Sequence, residues 1–344
     1  MPIKELKKNE ILLNNKTNLK ENKIKDSTIL ITGGAGFIGS YLVEELLKYF
    51  PKKIIIIDNL IRGSFENMKT FIDNPSVNFI DGDVKDTFLL EKCISEVDYI
   101  YHMAALRINA CAADTSDGFE TMVRVPFNIA ELAVKHKIKK VIYSSSASIY
   151  GLAQNFPTPE TDNPYDNQTF YGAAKMWGEQ LFRSYKFMYG LDYVALRYFN
   201  VYGPRMDTDG KYTEVMIKWL DCIQDKKNPA IYGDGSTTMD FVYVSDVAKA
   251  NVLALLSDIS DEAFNIGNNR ETSLKELLDV MLKINDSNLK PVYLESNSVN
   301  PVSRRLSENK KAKKLLNFTP QVNLDEGLKN LSRWYYEKNK IITE

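Results

Sequence analysis

One stretch, Thr28-Ile29-Leu30-Ile31-Thr32-Gly33-Gly34-Ala35-Gly36-Phe37-Ile38-Gly39-Ser40, constrains this chain more than any other. A β-branched apolar run enters a glycine-rich turn. The turn opens a segment, Phe37 to Phe50, with Ile38, Tyr41, Leu42, Leu46 and Tyr49 at helical spacing. The pattern predicts strand, tight turn and helix. Gly33 suits backbone angles that a Cβ forbids. Gly36 lets the backbone approach a bulky anion, and Gly39 lets the helix lie close to the strand. Free N–H groups and the positive helix end then converge where a pyrophosphate would sit.

The next element tests that reading. Lys53-Ile54-Ile55-Ile56-Ile57-Asp58 reads as a buried strand ending in a carboxylate. Asp58 follows the glycine turn at about the 20-residue spacing of a dinucleotide fingerprint. Its carboxylate would accept hydrogen bonds from ribose hydroxyls and repel a 2′-phosphate, favouring NAD over NADP. Arg62 is close enough to soften that preference.

At 344 residues the chain can bury a large core and divide into two lobes. Its 44% hydrophobic and 26% charged residues are those of an ordinary globular protein. A net charge of −1 gives no reason to expect nucleic acid or an anionic membrane as partner. Cys93, Cys111 and Cys222 form no disulfide framework, which points to a reducing, cytoplasmic setting. His102 and His136 belong to no ligand cluster, so no metal site is expected. Residues 1–27 read as a mobile or loosely docked arm, whose Ile11-Leu12-Leu13 is too short for a signal-peptide core.

Further strands are expected at Ser76–Ile80, Val97–His102, Val141 onwards, Tyr193–Tyr198, Ile231-Tyr232, Phe241–Val244 and Phe264–Ile266. Helices are expected at Phe119–His136, Phe170–Tyr189, Tyr212–Ile223, Leu274–Ile284 and Leu324–Tyr336, with Ser245 or Asp246 capping one after Val244. Asp83 either approaches the adenine amino group or is a solvated turn residue. His102 reads as a packed core or turn residue. Alternating strand and helix imply a parallel sheet with right-handed crossovers. The fold class is therefore α/β, a Rossmann-type doubly wound parallel sheet with a smaller, interleaved α/β substrate-binding lobe. The boundaries expected are 28–199 and 238–258 for the NAD-binding domain, and 200–237 and 259–344 for the lobe.

Tyr171 and Lys175 lie four apart on a predicted helix and share a face. A phenol acting as base near neutral pH must have its pKa lowered by roughly 3 units, about 4 kcal/mol of preference for the phenolate. A lysine ammonium and a positive nicotinamide ring would supply that. Ser146, at the end of the fifth strand, can hydrogen-bond the same hydroxyl. The three make a proton relay for taking a proton from an alcohol as hydride leaves.

At this point the chain resembles the extended short-chain dehydrogenase/reductase family and, within it, the nucleotide-sugar epimerases. The likeness runs from about Thr28 to about Tyr336. It is carried by the glycine turn, Asp58-Asn59-Leu60, Asp81-Gly82-Asp83, His102-Met103-Ala104-Ala105, Ser144-Ser145-Ser146-Ala147-Ser148-Ile149-Tyr150-Gly151, Tyr171-Gly172-Ala173-Ala174-Lys175, Arg197 to Arg205 and Gly233-Asp234-Gly235. It implies a retained NAD, reduced and reoxidised within each turnover. Tyr171 would be the base, Ser146 its partner, and Lys175 a contact of the nicotinamide ribose. The C4 hydroxyl would pass through a ketone. It also implies a homodimer built from the helices carrying Phe119–His136 and Phe170–Tyr189.

Together these readings assign the cofactor to Gly33, Gly36, Phe37, Ile38, Gly39, Asp58, Asn59, Arg62, Gly63, Asp83, Val84, Ala104, Ala105, Ser144, Tyr171, Lys175 and Tyr198. A nucleotide-diphosphate sugar, a UDP-sugar foremost, is assigned to Arg107, Ser146, Asn200, Arg205, Tyr232, Arg304 and Arg305. The family's dehydratases carry Asp-Glu where this chain has Ala147-Ser148, and its decarboxylases usually carry Glu where it has Ser148, so both reactions are disfavoured. Met239 stands where an arginine for the diphosphate is common, and a second falls on Ser298. Arg205, or Arg304 with Arg305, is expected to take over. A 4-ketoreductase or dehydrogenase of the same fold, or a non-catalytic NAD-sensing protein, are the alternatives.

Overall fold

A computed structural model describes residues 23–162, 166–208, 214–295 and 302–343. β1 (Thr28–Thr32) is buried at every position. Such a strand cannot be an edge, and it has a parallel neighbour on each side: β2 (Lys53–Asp58) and β4 (Tyr99–His102). β3 (Val77–Asp81), β5 (Lys140–Ser146), β6 (Tyr193–Tyr198) and a late strand, β10 (Glu262–Ile266), complete a seven-stranded sheet of order β3-β2-β1-β4-β5-β6-β10. All its pairings are parallel. The direction of winding reverses between β1 and β4, so the crevice at their carboxyl ends is where a ligand is expected.

One sheet face is covered by α1 (Phe37–Leu47), α9 (Val244–Leu256) and the short α11 (Lys310–Leu316). The other is covered by α3 (Thr87–Ile94), α6 (Val125–Lys135) and α7 (Phe170–Tyr189). Short helices α2 (Phe65–Met68), α4 (Ile108–Ala113) and α5 (Thr115–Phe119) fill the connections. α7 has the expected ends. Thr169 caps it by accepting the Gly172 N–H, and Gly190 stops it at φ +76°.

The smaller lobe has its own core, built on Trp219, Leu220, Leu277, Met281, Leu328 and Leu331. These come from α8 (Val215–Gln224), α10 (Leu274–Ile284) and α12 (Leu324–Thr343). Its strands make two small sheets: β7 (Asn200–Tyr202), β9 (Thr238–Tyr243) and β11 (Glu271–Ser273) in one, β8 (Ala230–Tyr232) and β12 (Val292–Leu294) in the other.

Several expectations are corrected. The lobe boundaries at 238–258 and 259–344 are not kept: β9 belongs to the lobe's sheet, whereas β10 and α11 belong to the large one. Strand pairing across that much chain leaves no local trace. The helix over Phe119–His136 is broken by a π-turn at Glu120–Arg124. Pro126 follows it and has no N–H for a continuous α ladder. Ser245 and Asp246 do not cap α9, whose N-cap is Tyr243. Asp246, 1% exposed, instead accepts the N–H groups of Gln321 (2.9 Å) and Val322 (3.0 Å), lashing the approach to α12 onto α9. The arm is docked at its end: Ile24 is fully buried, and Lys23 reaches the Ser257 carbonyl and Asp258. Residues 1–22, Tyr212 at the expected helix start, and Ser298 lie outside the described residues. Among those described, no helix is long and apolar enough to cross a membrane.

Replacing Asp246 by Ala strips two backbone N–H groups of their acceptor. Urea unfolding should show a loss of about 2 kcal/mol.

Candidate active site

Gly33 sits at φ +74°, and a Cβ there would be 2.8 Å from the Ala104 nitrogen. At Gly39 a Cβ would come within 2.2 Å of the Gly33 carbonyl. The turn is thus pressed between β4 and α1. No side chain caps the N-terminus of α1, although Asp86, Thr169 and Ser273 cap α3, α7 and α10. Gly36, Phe37 and Ile38 instead line the cleft.

Asp58, almost buried at the end of β2, accepts the N–H groups of Ala35 (3.0 Å) and Leu60 (2.9 Å). Burial raises its pKa and these N–H groups pull it back. Asn59 donates to Asp83 at 3.1 Å, closing the adjacent wall. His102 is buried against Thr32, with Nδ1 2.8 Å from the hydroxyl, and burial drives its pKa down to about 3. It is neutral, and Thr32 also accepts the Ala104 N–H at 3.2 Å. His102 therefore braces the turn.

The relay residues meet at the carboxyl end of β5. Lys175 Nζ donates to the Ser144 carbonyl at 2.6 Å and lies over the rings of Tyr143 and Tyr171, 5.2 and 5.7 Å from their centroids. Burial brings this ammonium's pKa down to about 8, while Cys111 and Glu179 oppose the shift. Burial raises the Tyr171 phenol. The nearby Ser146 hydroxyl and the Arg62 and Arg305 charges lower it. Ser144 donates to the Tyr198 hydroxyl (3.2 Å), which donates to Asn251 (2.8 Å). Behind the relay, Glu179 takes a hydrogen bond from Ser145 and a forked pair from Arg197.

A cleft of about 720 Å³ joins these parts. Every cofactor residue expected from the sequence lines it, as do Arg107, Ser146 and Arg205. Asn200 and Tyr232 do not. Tyr232 stands exposed on β8. Arg304 is exposed and held by Glu271 through two hydrogen bonds (2.7 and 2.9 Å). Arg305 is buried in a small adjoining recess. Arg205 is held by Glu44 (2.6 Å) and Ser40 (3.1 Å). Arg62 and Arg107 share Asp207 at 4.0 and 3.9 Å, too long for strong pairing. Sequence reasoning missed Thr121, Asp207 and Lys218, which also line the cleft. None stands in a motif, and the chain brings them in from helices and a loop.

The profile of the NAD dependent epimerase/dehydratase family matches residues 29–267. A putative UDP-glucose 4-epimerase of Methanocaldococcus jannaschii is 35% identical over 91% of this chain and 99% of its own length. A UDP-N-acetyl-α-D-glucosaminuronate decarboxylase of Bacillus cytotoxicus is 31% identical over 90% of this chain and 97% of its own. The solved UDP-N-acetylglucosamine 4-epimerase of Methanobrevibacter ruminantium, in complex with UDP-N-acetylmuramic acid, superimposes with a TM-score of 0.86. It is 32% identical and covers 91% of this chain and 99% of its own. The chain belongs to the NAD-dependent epimerase/dehydratase family. It is an NAD-dependent enzyme of the nucleotide-sugar epimerase type, an isomerase.

The residues present fit NAD: an uncapped helix end for the pyrophosphate, a strand-end carboxylate for the ribose, and small residues at the end of β4. Gly39→Ala forces backbone apart at a 2.2 Å approach. It should cost about 2 kcal/mol in thermal or urea unfolding and lower the NAD released when the purified protein is denatured.

Proposed function

We propose that the protein is a UDP-sugar 4-epimerase with Tyr171 as its base. The convergence of Tyr171, Ser146 and Lys175 at the end of β5, beside the dinucleotide crevice, carries this reading. Bound NAD supplies the hydride acceptor and, once reduced, the donor. Tyr171 takes the proton of the sugar's C4 hydroxyl, leaving a 4-keto sugar. Ser146 hydrogen-bonds the phenolate and steadies its charge. Lys175, fixed by the Ser144 carbonyl, contributes positive charge beneath the Tyr171 ring and is placed to hold the nicotinamide ribose. When the ketone turns its other face, Tyr171 returns the proton.

Ala147 and Ser148 are buried beside the relay and bring no acid to it. This supports isomerisation over loss of water or carbon dioxide. We assign the cationic wall facing the substrate's diphosphate to Arg107 and Arg205, since both line the cleft. The same reading includes a homodimer on α6 and α7, which carry the exposed Phe127 and Phe187.

Four outcomes test this. Incubation with UDP-sugars without added cofactor should yield C4 epimers of unchanged mass by NMR; NADH release would indicate a net oxidoreductase instead. Tyr171→Phe should lose about 10³-fold in turnover while keeping its NAD. Ser146→Ala removes an interaction that lowers the phenol's pKa, so the acid limb of kcat/KM should move to higher pH. Phe187→Glu should shift the light-scattering mass from dimer to monomer.

A further inference from the structure

Arg304 and Arg305 are adjacent in an extended segment, and their side chains part. Arg304 turns outward to Glu271, its guanidinium 4.3 Å above the Phe156 ring. Arg305 turns inward and is 9% exposed. The backbone fixes this division. Arg305 N–H donates to the Thr238 carbonyl (3.0 Å), and Thr158 N–H to the Leu306 carbonyl (2.8 Å). Two residues on, Ser307 donates its N–H (3.0 Å) and its hydroxyl to buried Asp240.

Arg305 lines a recess with Ser148, Gly151, Asn167 and Thr169 that adjoins the cleft at Ser148, two residues past the relay serine; Thr169 stands two residues before Tyr171. Among the described residues its guanidinium has no ion pair and no side-chain hydrogen bond. Asp166 lines the same recess but accepts a hydrogen bond from Gln154 (3.2 Å). Tyr171 is near enough that its phenolate, when formed, would interact with Arg305 electrostatically. Burial brings the guanidinium's pKa down to about 10. A desolvated cation without a counter-charge is costly unless a ligand supplies one.

The position restricts that ligand. Tyr171 works at C4, and a nucleotide diphosphate is attached at C1, across the pyranose ring. An arginine close to the C4 base would lie nearer the carbons that flank C4 than the C1 end that carries the diphosphate. We propose that Arg305 receives a carboxylate carried on a carbon next to C4 of the substrate sugar, so that the enzyme prefers acidic nucleotide sugars. The carboxylate sits either on C5, as in a hexuronate, or on a C3 substituent, as in a 3-O-lactyl sugar. A guanidinium and a carboxylate form a bidentate, charge-assisted pair, which a neutral hydroxymethyl cannot. This inference rests on the 4-epimerase reading and takes Arg305 out of the set expected to bind the diphosphate.

The test uses the NAD-loaded enzyme with UDP-glucuronate, UDP-N-acetylmuramate, UDP-glucose and UDP-N-acetylglucosamine, epimers being resolved by NMR. Affinity for UDP alone is measured by calorimetry. One acidic sugar should be used with kcat/KM at least ~10-fold above its neutral counterpart. Preference for the glucuronate places the carboxylate on C5, and for the muramate on the C3 substituent. Arg305→Met should cut that preference ~10- to 100-fold, and Arg305→Lys should restore part of it. Thermal melting checks that the variants fold, and the preference of the unaltered enzyme is read without them. Equal use of acidic and neutral sugars overturns the assignment. So does an Arg305→Met variant that loses both equally together with UDP affinity, which marks a diphosphate contact. Epimerisation of neutral sugars alone sinks only the carboxylate site. No epimerisation of any sugar sinks the 4-epimerase reading beneath it.

Discussion

The active site depends on one buried contact, the 2.6 Å hydrogen bond from the Lys175 ammonium to the Ser144 carbonyl. It fixes the register of α7 against the end of β5. A helix rises 1.5 Å and turns 100° per residue, so a slip of one position would carry Tyr171 away from Ser146. The ammonium is buried with a carbonyl and two aromatic faces as partners. That setting holds its pKa near 8. One turn further along, Glu179 is tied to Arg197 on β6 and to Ser145 on β5. Tyr171, Lys175 and Glu179 thus form a ladder on one helix face. In the proposed relay the outer rung would do the chemistry and the middle rung would position and charge it, while the inner rung fastens the helix to two strands.

What could be read in the sequence follows the range of the forces involved. α7 was legible end to end because its amphipathic spacing, its Thr169 cap and its Gly190 stop are local signals. The glycine turn and Asp58 were legible because a pyrophosphate and a ribose impose fixed spacings on the backbone. β10 was legible as a strand and misplaced as to sheet, since its pairing with β6 is set by packing across distant chain. The π-turn before Pro126 escaped because an apolar period of helical type hides one extra residue. Asp246 looked like a cap from its neighbours in sequence, and its partners are Gln321 and Val322.

The arginines show the same limit at the site itself. Charge and proximity in sequence made Arg304 and Arg305 equivalent. In an extended segment successive side chains alternate sides, so fixing the backbone at Thr238 and Thr158 sends one to solvent and the other inward. Arg205 looked free and is occupied by Glu44 on α1, where it joins the lobe to the dinucleotide domain. Residue type identified the cations, and only the folded chain shows which of them already holds a partner.

That sorting bears on the proton chemistry. Burial alone would hold the Tyr171 proton firmly. Ser146, Arg62 and Arg305 work against it. A carboxylate arriving at Arg305 would cancel part of one of these contributions, which taken alone would weaken the base. Bound NAD would supply the positive charge of its oxidised nicotinamide ring, and Arg62 and Lys175 keep theirs. On the proposed reading, Tyr171 as base would therefore not depend on Arg305 remaining unpaired. A guanidinium beside a phenol can steer an anionic substrate onto that phenol only where other cations are present to keep the phenol acidic, and this cleft supplies them from α7 (Lys175) and the loop after β2 (Arg62).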